Sequence, residues 1–115
     1  MSEIKVLTKK IKKFRDERNW MQFHNHKDMA ISLALEAAEV MEHFQWKSQK
    51  EIDNYVKTHR DDIAEELADV SAYLFELADN LGVDLAEALK NKMKKNAIKY
   101  PIKKARGKHT KYNQL

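Results

Sequence analysis

Cysteine is absent from the 115 residues, proline occurs once and glycine twice. The missing thiols exclude disulfides and thiolate zinc sites, and the scarcity of turn formers points to an all-helical protein. No apolar run approaches the roughly 20 residues that cross a bilayer, and Met1–Leu7 lacks the apolar block of a signal peptide. A cytoplasmic protein without a membrane partner is therefore expected. The length suits one domain over 1–115, but one too short to bury a deep site unaided, which makes self-association plausible.

Positive charge is missing where it would be ordinary. The chain holds 22 Lys and Arg, yet none lies between Asp28 and Trp46 or between Asp61 and Leu89, and those two stretches carry 13 of the 18 acidic residues. Residues 90–115 reverse the pattern, with ten basic residues and no acidic one. The net charge of +4 fits either nucleic-acid binding or attraction of phosphorylated small molecules.

Periodicity predicts the elements. Ile4, Leu7, Ile11 and Phe14, with the stem of Arg15, outline a first helix to about Arg18. Residues 19–27 read as a connection, with Asp28 as the cap of a helix running to about Trp46 that is apolar over most of its circumference. Its exceptions, Ser32, Glu36, Glu39 and His43, form one polar stripe. A loop and a short helix are expected over 47–60. A strong helix then runs from Asp61 or Asp62 to near Gly82, its core face made by Ile63, Leu67, Val70, Leu74, Leu77 and Leu81, with a second stripe of Asp62, Glu66, Asp69, Tyr73 and Asn80. A last helix starts at the Asp84 cap and stops before Pro101, followed by an irregular basic tail from about 101. Short connections favour an antiparallel bundle of four to five helices.

Two helices that each present carboxylates at i and i+3 can aim Glu36, Glu39, Glu66 and Asp69 into the space between them. Mutual repulsion forbids this unless cations sit there, and an all-oxygen set selects Mg²⁺, or Mn²⁺. Acidic pairs on helices are commonly solvated faces, but such faces intersperse Lys and Arg, which both helices exclude. A di-iron bundle would need Glu-x-x-His, which the chain lacks. Lys92, Lys95, Asn96, Lys99 and Tyr100 are candidates to neutralise phosphate, and Trp20, Phe23, His24, Trp46 and Tyr73 to flank a flat heterocycle. Two other classes stand beside this one: a non-catalytic basic module that binds nucleic acid through Lys90 to Lys111, and a purely structural oligomer.

With these residues in view, the chain resembles the MazG-like nucleotide pyrophosphohydrolases, most closely their dCTP pyrophosphatase branch, from about Phe14 to Tyr112. The metal motif is met by Glu36-Ala37-Ala38-Glu39 and Glu66-Leu67-Ala68-Asp69. The run from Phe14 to His24, then Lys27 and Phe44-Gln45-Trp46-Lys47-Ser48, is similar to the branch's nucleoside-pocket signatures. Lys92, Asn96, Lys99-Tyr100-Pro101, Gly107 and Lys111-Tyr112 are similar to its phosphate-binding helix and tail. His26 stands where relatives commonly have Pro, and Ala37-Ala38 replaces a stretch that often carries glycine.

The resemblance implies an all-α homodimer or homotetramer whose sites are completed by neighbouring chains. It implies that one to two Mg²⁺ ions on the four acids serve hydrolysis of a nucleoside triphosphate, such as dCTP, to the monophosphate and pyrophosphate, clearing the nucleotide pool. Glu39 is then the candidate general base. Trp20, His24, Trp46 and Tyr73 would meet base or sugar, and Lys92, Asn96, Lys99, Tyr100 and Lys111 the phosphates. No nucleic-acid partner is expected.

Overall fold

The structure is a computed structural model that describes residues 2–115. Among these residues there are six α-helices and no strand: α1 (Glu3–Glu17), α2 (His26–Glu42), α3 (Gln49–Thr58), α4 (Arg60–Asn80), α5 (Leu85–Lys99) and α6 (Ile102–Ala105). Single 3₁₀ turns occupy Met21–Phe23 and Tyr112–Gln114. The all-helical expectation is met, with one short helix beyond the expected four or five. No helix is long and apolar enough to cross a membrane. The chain divides into two compact units, one ending at Gly82 and one beginning at Val83.

In the first unit α4 is the central element, packed against α2 along much of its length and against α1 and α3 more briefly. Local chemistry sets the boundaries. Ser48 and Glu51 close a reciprocal capping box at the start of α3. Just past the Leu81 cap of α4 stands Gly82, whose φ of +69° favours the residue without a Cβ. The start of α2 departs from expectation. Asn25, not Asp28, is the cap: its side-chain oxygen accepts from the Asp28 N–H at 2.9 Å. Asp28 sits in the first turn, where a carboxylate complements the helix dipole. The helix also ends at Glu42, and residues 43–46 form turns, with Trp46 at φ +67°.

The expected core faces need correction. On α1 the buried side chains are Thr8 and Arg15, while Leu7 and Phe14 of the apolar stripe are exposed. The reason is ionic: the face of α1 that meets α4 joins Lys12 to Asp79 at 3.0 Å and Arg15 to Glu76 at 3.5 Å. On α4, Glu76 and Ala78 are buried, whereas Leu67, Leu74 and Leu81 are exposed. α2 is apolar on most sides, as read from its sequence, but buries only Met29 fully; Ile31, Leu35 and Met41 are exposed. A helix with so wide an apolar surface needs neighbours on several sides, and within its unit α2 packs principally on α4.

In the second unit Asp84 caps α5, accepting from the Glu87 N–H as expected. The segment after Pro101 is more ordered than an irregular tail. It forms α6 and then a 3₁₀ turn that sets Tyr112 edge-on to Tyr100, with ring centroids 6.1 Å apart, beneath the Lys99 ammonium at 4.8 Å. Aromatic and cation–π contacts hold this segment to the end of α5.

Candidate functional site

Glu36 and Glu39 sit one turn apart on α2, and Glu66 and Asp69 one turn apart on α4. The α2–α4 packing makes these stripes converge: one carboxylate oxygen from each residue lies within 4.8 Å of the other three. Oxygens Oε2 of Glu36 and of Glu66 are shielded from water and have no hydrogen-bond partner among the described residues. Buried carboxylate oxygens are ordinarily satisfied, so two in one cluster mark a place where a partner belongs.

Electrostatics agrees. The Glu66 carboxyl is pushed up to about 7, first by its contact with the Glu39 carboxyl, then by desolvation and by the charges of Glu39, Asp69 and Glu36. Glu36 is also raised, chiefly by burial and next by its contact with Glu39. Without a cation, protons hold the carboxyls together. The donors are all oxygen, and α2 beyond Lys27 and α4 beyond Arg60 offer no ammonium or guanidinium to compete. The four residues therefore fit a hard divalent ion.

Asp69 also forms part of the wall of a cavity of about 200 Å³. Its rings are Phe14, Trp20, His24 and Tyr73, so three of the sequence-predicted base contacts meet beside the acids. The backbone places Trp20. α1 ends in a Schellman motif in which the Asn19 N–H donates to Asp16 O at 3.1 Å and the Trp20 N–H to Arg15 O at 3.1 Å. Asn19 takes φ +53°, a left-handed conformation that Asn tolerates. The motif's apolar contact is the edge-on pair of Trp20 and Phe14, with centroids 5.8 Å apart.

Behind the rings lies a polar network that the sequence reading did not assemble. Glu76, 2% exposed, has His24 Nδ1 at 2.8 Å, accepts from Asn80 Nδ2 at 3.1 Å and pairs with the Arg15 guanidinium at 3.5 Å, all on Oε2, while Arg15 Nη1 donates to Asn80 Oδ1 at 3.4 Å. Arg15 also donates to Asp16 at 2.8 Å, which raises the guanidinium above its usual value and lowers Asp16. A signal for Glu76 existed: it stands three residues beyond Tyr73 and four before Asn80, on the same stripe as Glu66 and Asp69. For Arg15 periodicity placed only the stem on the buried face of α1, since nothing in that sequence shows that its face toward α4 is ionic.

Trp46 is not part of this cavity; at 91% exposure it projects from its turn. His43, last on the α2 stripe, is not with the acids either. Its Nδ1 lies 2.6 Å from the Tyr55 hydroxyl, so it anchors α3. Lys92, Asn96 and Lys99 lie on α5 of the second unit, and Tyr100 and Lys111 follow it. There Lys99 and Tyr100 both engage Tyr112.

Comparison with known proteins gives the chain relatives over most of its length. The chain is 39% identical over 104 residues to dCTP pyrophosphatase 1 of Mus musculus, covering 89% of this chain and 61% of that protein. It is 38% identical over 104 residues to dCTP pyrophosphatase 1 of Homo sapiens, with the same coverage. The chain thus spans about three fifths of the length of these curated relatives. A crystal structure of a pyrophosphatase from Archaeoglobus fulgidus superimposes with a TM-score of 0.82 at 37% identity, covering 88% of this chain and 94% of that one. The MazG-like family model matches residues 31–115, which include all four clustered acids and the whole second unit. With the motif, the fold and these relatives in agreement, the chain belongs to the MazG-like family.

Proposed function

We propose that this chain is a nucleotide pyrophosphohydrolase that converts a deoxynucleoside triphosphate, a pyrimidine nucleotide such as dCTP, to the monophosphate and pyrophosphate with Mg²⁺ as cofactor. One observation carries the reading: Asp69 belongs both to the four-carboxylate cluster and to the wall of the aromatic cavity, so a metal-binding set and a slot for a flat ring are contiguous. The relatives named for dCTP, and a pyrophosphatase of the same fold, support it.

In this reading Glu36, Glu39, Glu66 and Asp69 hold one to two Mg²⁺ ions, with Mn²⁺ as a substitute. Bound there, the cation supplies charge neutralisation at the triphosphate and lowers the pKa of water. Phe14, Trp20 and Tyr73 sandwich or flank the base, and His24 presents a polar edge to it. Water adds to the α-phosphorus, the bond from that phosphorus to the bridging oxygen breaks, and pyrophosphate leaves. The water proton passes to a carboxylate of the cluster, for which Glu39 is the candidate because its side chain is exposed. Lys92, Lys99 and Lys111, with Asn96 and Tyr100, are assigned to phosphate oxygens. The proposal includes a homodimer or homotetramer, supported by exposed Ile31, Leu35 and Met41 on α2 and Leu67 on α4.

Incubation with a panel of nucleoside triphosphates and Mg²⁺, with product identification, tests the activity. Pyrophosphate and monophosphate are expected from the wild type, and none from Glu36→Ala or Asp69→Ala with unchanged helical content. Turnover retained in either variant would refute the assignment.

A further inference from the structure

Glu76 is as buried as any charged group among the described residues, and no step of the proposed reaction uses it. Asn80 Nδ2 donates to its Oε2 at 3.1 Å, the Arg15 guanidinium pairs with Oε2 at 3.5 Å while its Nη1 donates to Asn80 Oδ1 at 3.4 Å, and His24 Nδ1 lies 2.8 Å from Oε2 and 3.0 Å from Oε1. An ionised carboxylate accepts and cannot donate, so the proton between the two groups resides on His24 Nδ1. This fixes the ring's tautomer and orientation. The nitrogen left for a ligand is Nε2, which in the neutral ring is a bare lone pair, and His24 forms part of the cavity wall.

We infer that Glu76 is a positioning residue that makes His24 Nε2 a hydrogen-bond acceptor in the cavity, and thereby selects a nucleobase bearing an exocyclic amino group over its keto counterpart. The inference rests on the reading of this cavity as the base pocket. An amino group donates to Nε2. A keto oxygen placed there sets two acceptors against each other, and a site built for one hydrogen bond rejects a mismatched analogue strongly. Phe14, Trp20 and Tyr73 do not discriminate in this way, because every base has a π-face.

Glu76→Gln tests the device with little change of shape. Asn80 donates to the Oε2 position and the Arg15 guanidinium faces it, so the amide oxygen is held there and the amide NH₂ takes the Oε1 position, 3.0 Å from His24 Nδ1. Nδ1 then faces an amide N–H at one of the two positions where both were acceptors, so the Nδ1–H form loses its advantage and the Nε2–H form gains population. Two readouts follow. In ¹⁵N-correlated NMR of the ligand-free protein at about pH 8, His24 is an Nδ1–H tautomer in the wild type, and the Nε2–H tautomer rises in the variant. With Mg²⁺ present, the ratio of kcat/KM for dCTP to that for dUTP falls by at least about tenfold in the variant. If the variant does not fold, His24→Phe in the otherwise unaltered chain must lower the same ratio.

An Nε2–H tautomer in the wild type, or a dCTP-to-dUTP ratio unchanged in Glu76→Gln or His24→Phe while dCTP is still hydrolysed, overturns this inference and leaves the proposed function standing. Hydrolysis of no triphosphate by the wild type overturns the proposed function, and this inference with it.

Discussion

Titrating the protein with Mg²⁺ from about pH 5 to about pH 8.5 sets protons against metal at the carboxylate cluster. With its pKa at about 7, the Glu66 carboxyl of the metal-free protein is roughly nine-tenths protonated at pH 6 and roughly one-tenth at pH 8. A cation binds the ionised form, so Glu66 alone releases about 0.9 proton per binding event at pH 6 and about 0.1 at pH 8. Glu36, also raised, adds to the release on the acid side. The apparent association constant therefore falls by about tenfold or more for each pH unit below 7 and flattens above it. Isothermal calorimetry in two buffers of different ionisation enthalpy counts the protons directly.

The same groups give the metal-free fold an unusual pH profile. Their folded pKa values lie above the unfolded ones, so the folded chain holds more protons between about 4.5 and about 7. Their contribution to stability is present at acid pH and is lost as pH rises through that window. Added Mg²⁺ restores it on the alkaline side. An Mg²⁺ affinity independent of pH, or no proton release at pH 6, would refute the convergence of charge on which the site depends.

Further outcomes are expected from single changes. Glu76→Ala leaves the Arg15 guanidinium, 7% exposed, without its buried counter-charge, which costs about 3–5 kcal/mol, or roughly 12–20 °C in Tm for a chain of this length; calorimetric or circular-dichroism melting checks it, and a loss under about 1 kcal/mol would mean that Arg15 finds other partners. Trp20→Ala raises KM for the preferred triphosphate about tenfold with kcat little changed, as loss of one stacking face predicts; steady-state kinetics separates the two parameters. Gly82→Ala, at φ +69° with open space around it, destabilises by about 1–2 kcal/mol through backbone strain alone, read from urea midpoints.

The helices and the acids were legible in the sequence because both follow from periodicity. Glu36, Glu39, Glu66 and Asp69 announce themselves by spacing and by the missing Lys and Arg around them. Capping was legible in kind but not in place: Asn25 and Asp28 are both competent caps, and a single hydrogen bond decided between them. Burial was the weakest part. An apolar stripe shows which face of a helix prefers shelter, but not whether one chain supplies enough neighbours to shelter it, and Leu35, Leu67 and Leu81 remain exposed. Nor does periodicity reveal a buried ion pair, since it places the stem of Arg15 on the apolar face of α1 but shows no counter-charge for its guanidinium until α1 and α4 meet. Trp46 shows the same gap, because its left-handed turn aims it away from the cavity that shape and composition suggested.

The four acids come from only two helices, so the grip on a cation is a direct measure of how far along its axis one helix rests on the other. A slip of α2 against α4 by a single turn, about 5.4 Å, exceeds the 4.8 Å span that contains all four donor oxygens. The seemingly passive leucines, alanines and valines between the helices thus act as the detents of a ratchet, and substitutions that enlarge or shrink them retune metal affinity without touching a single charged group.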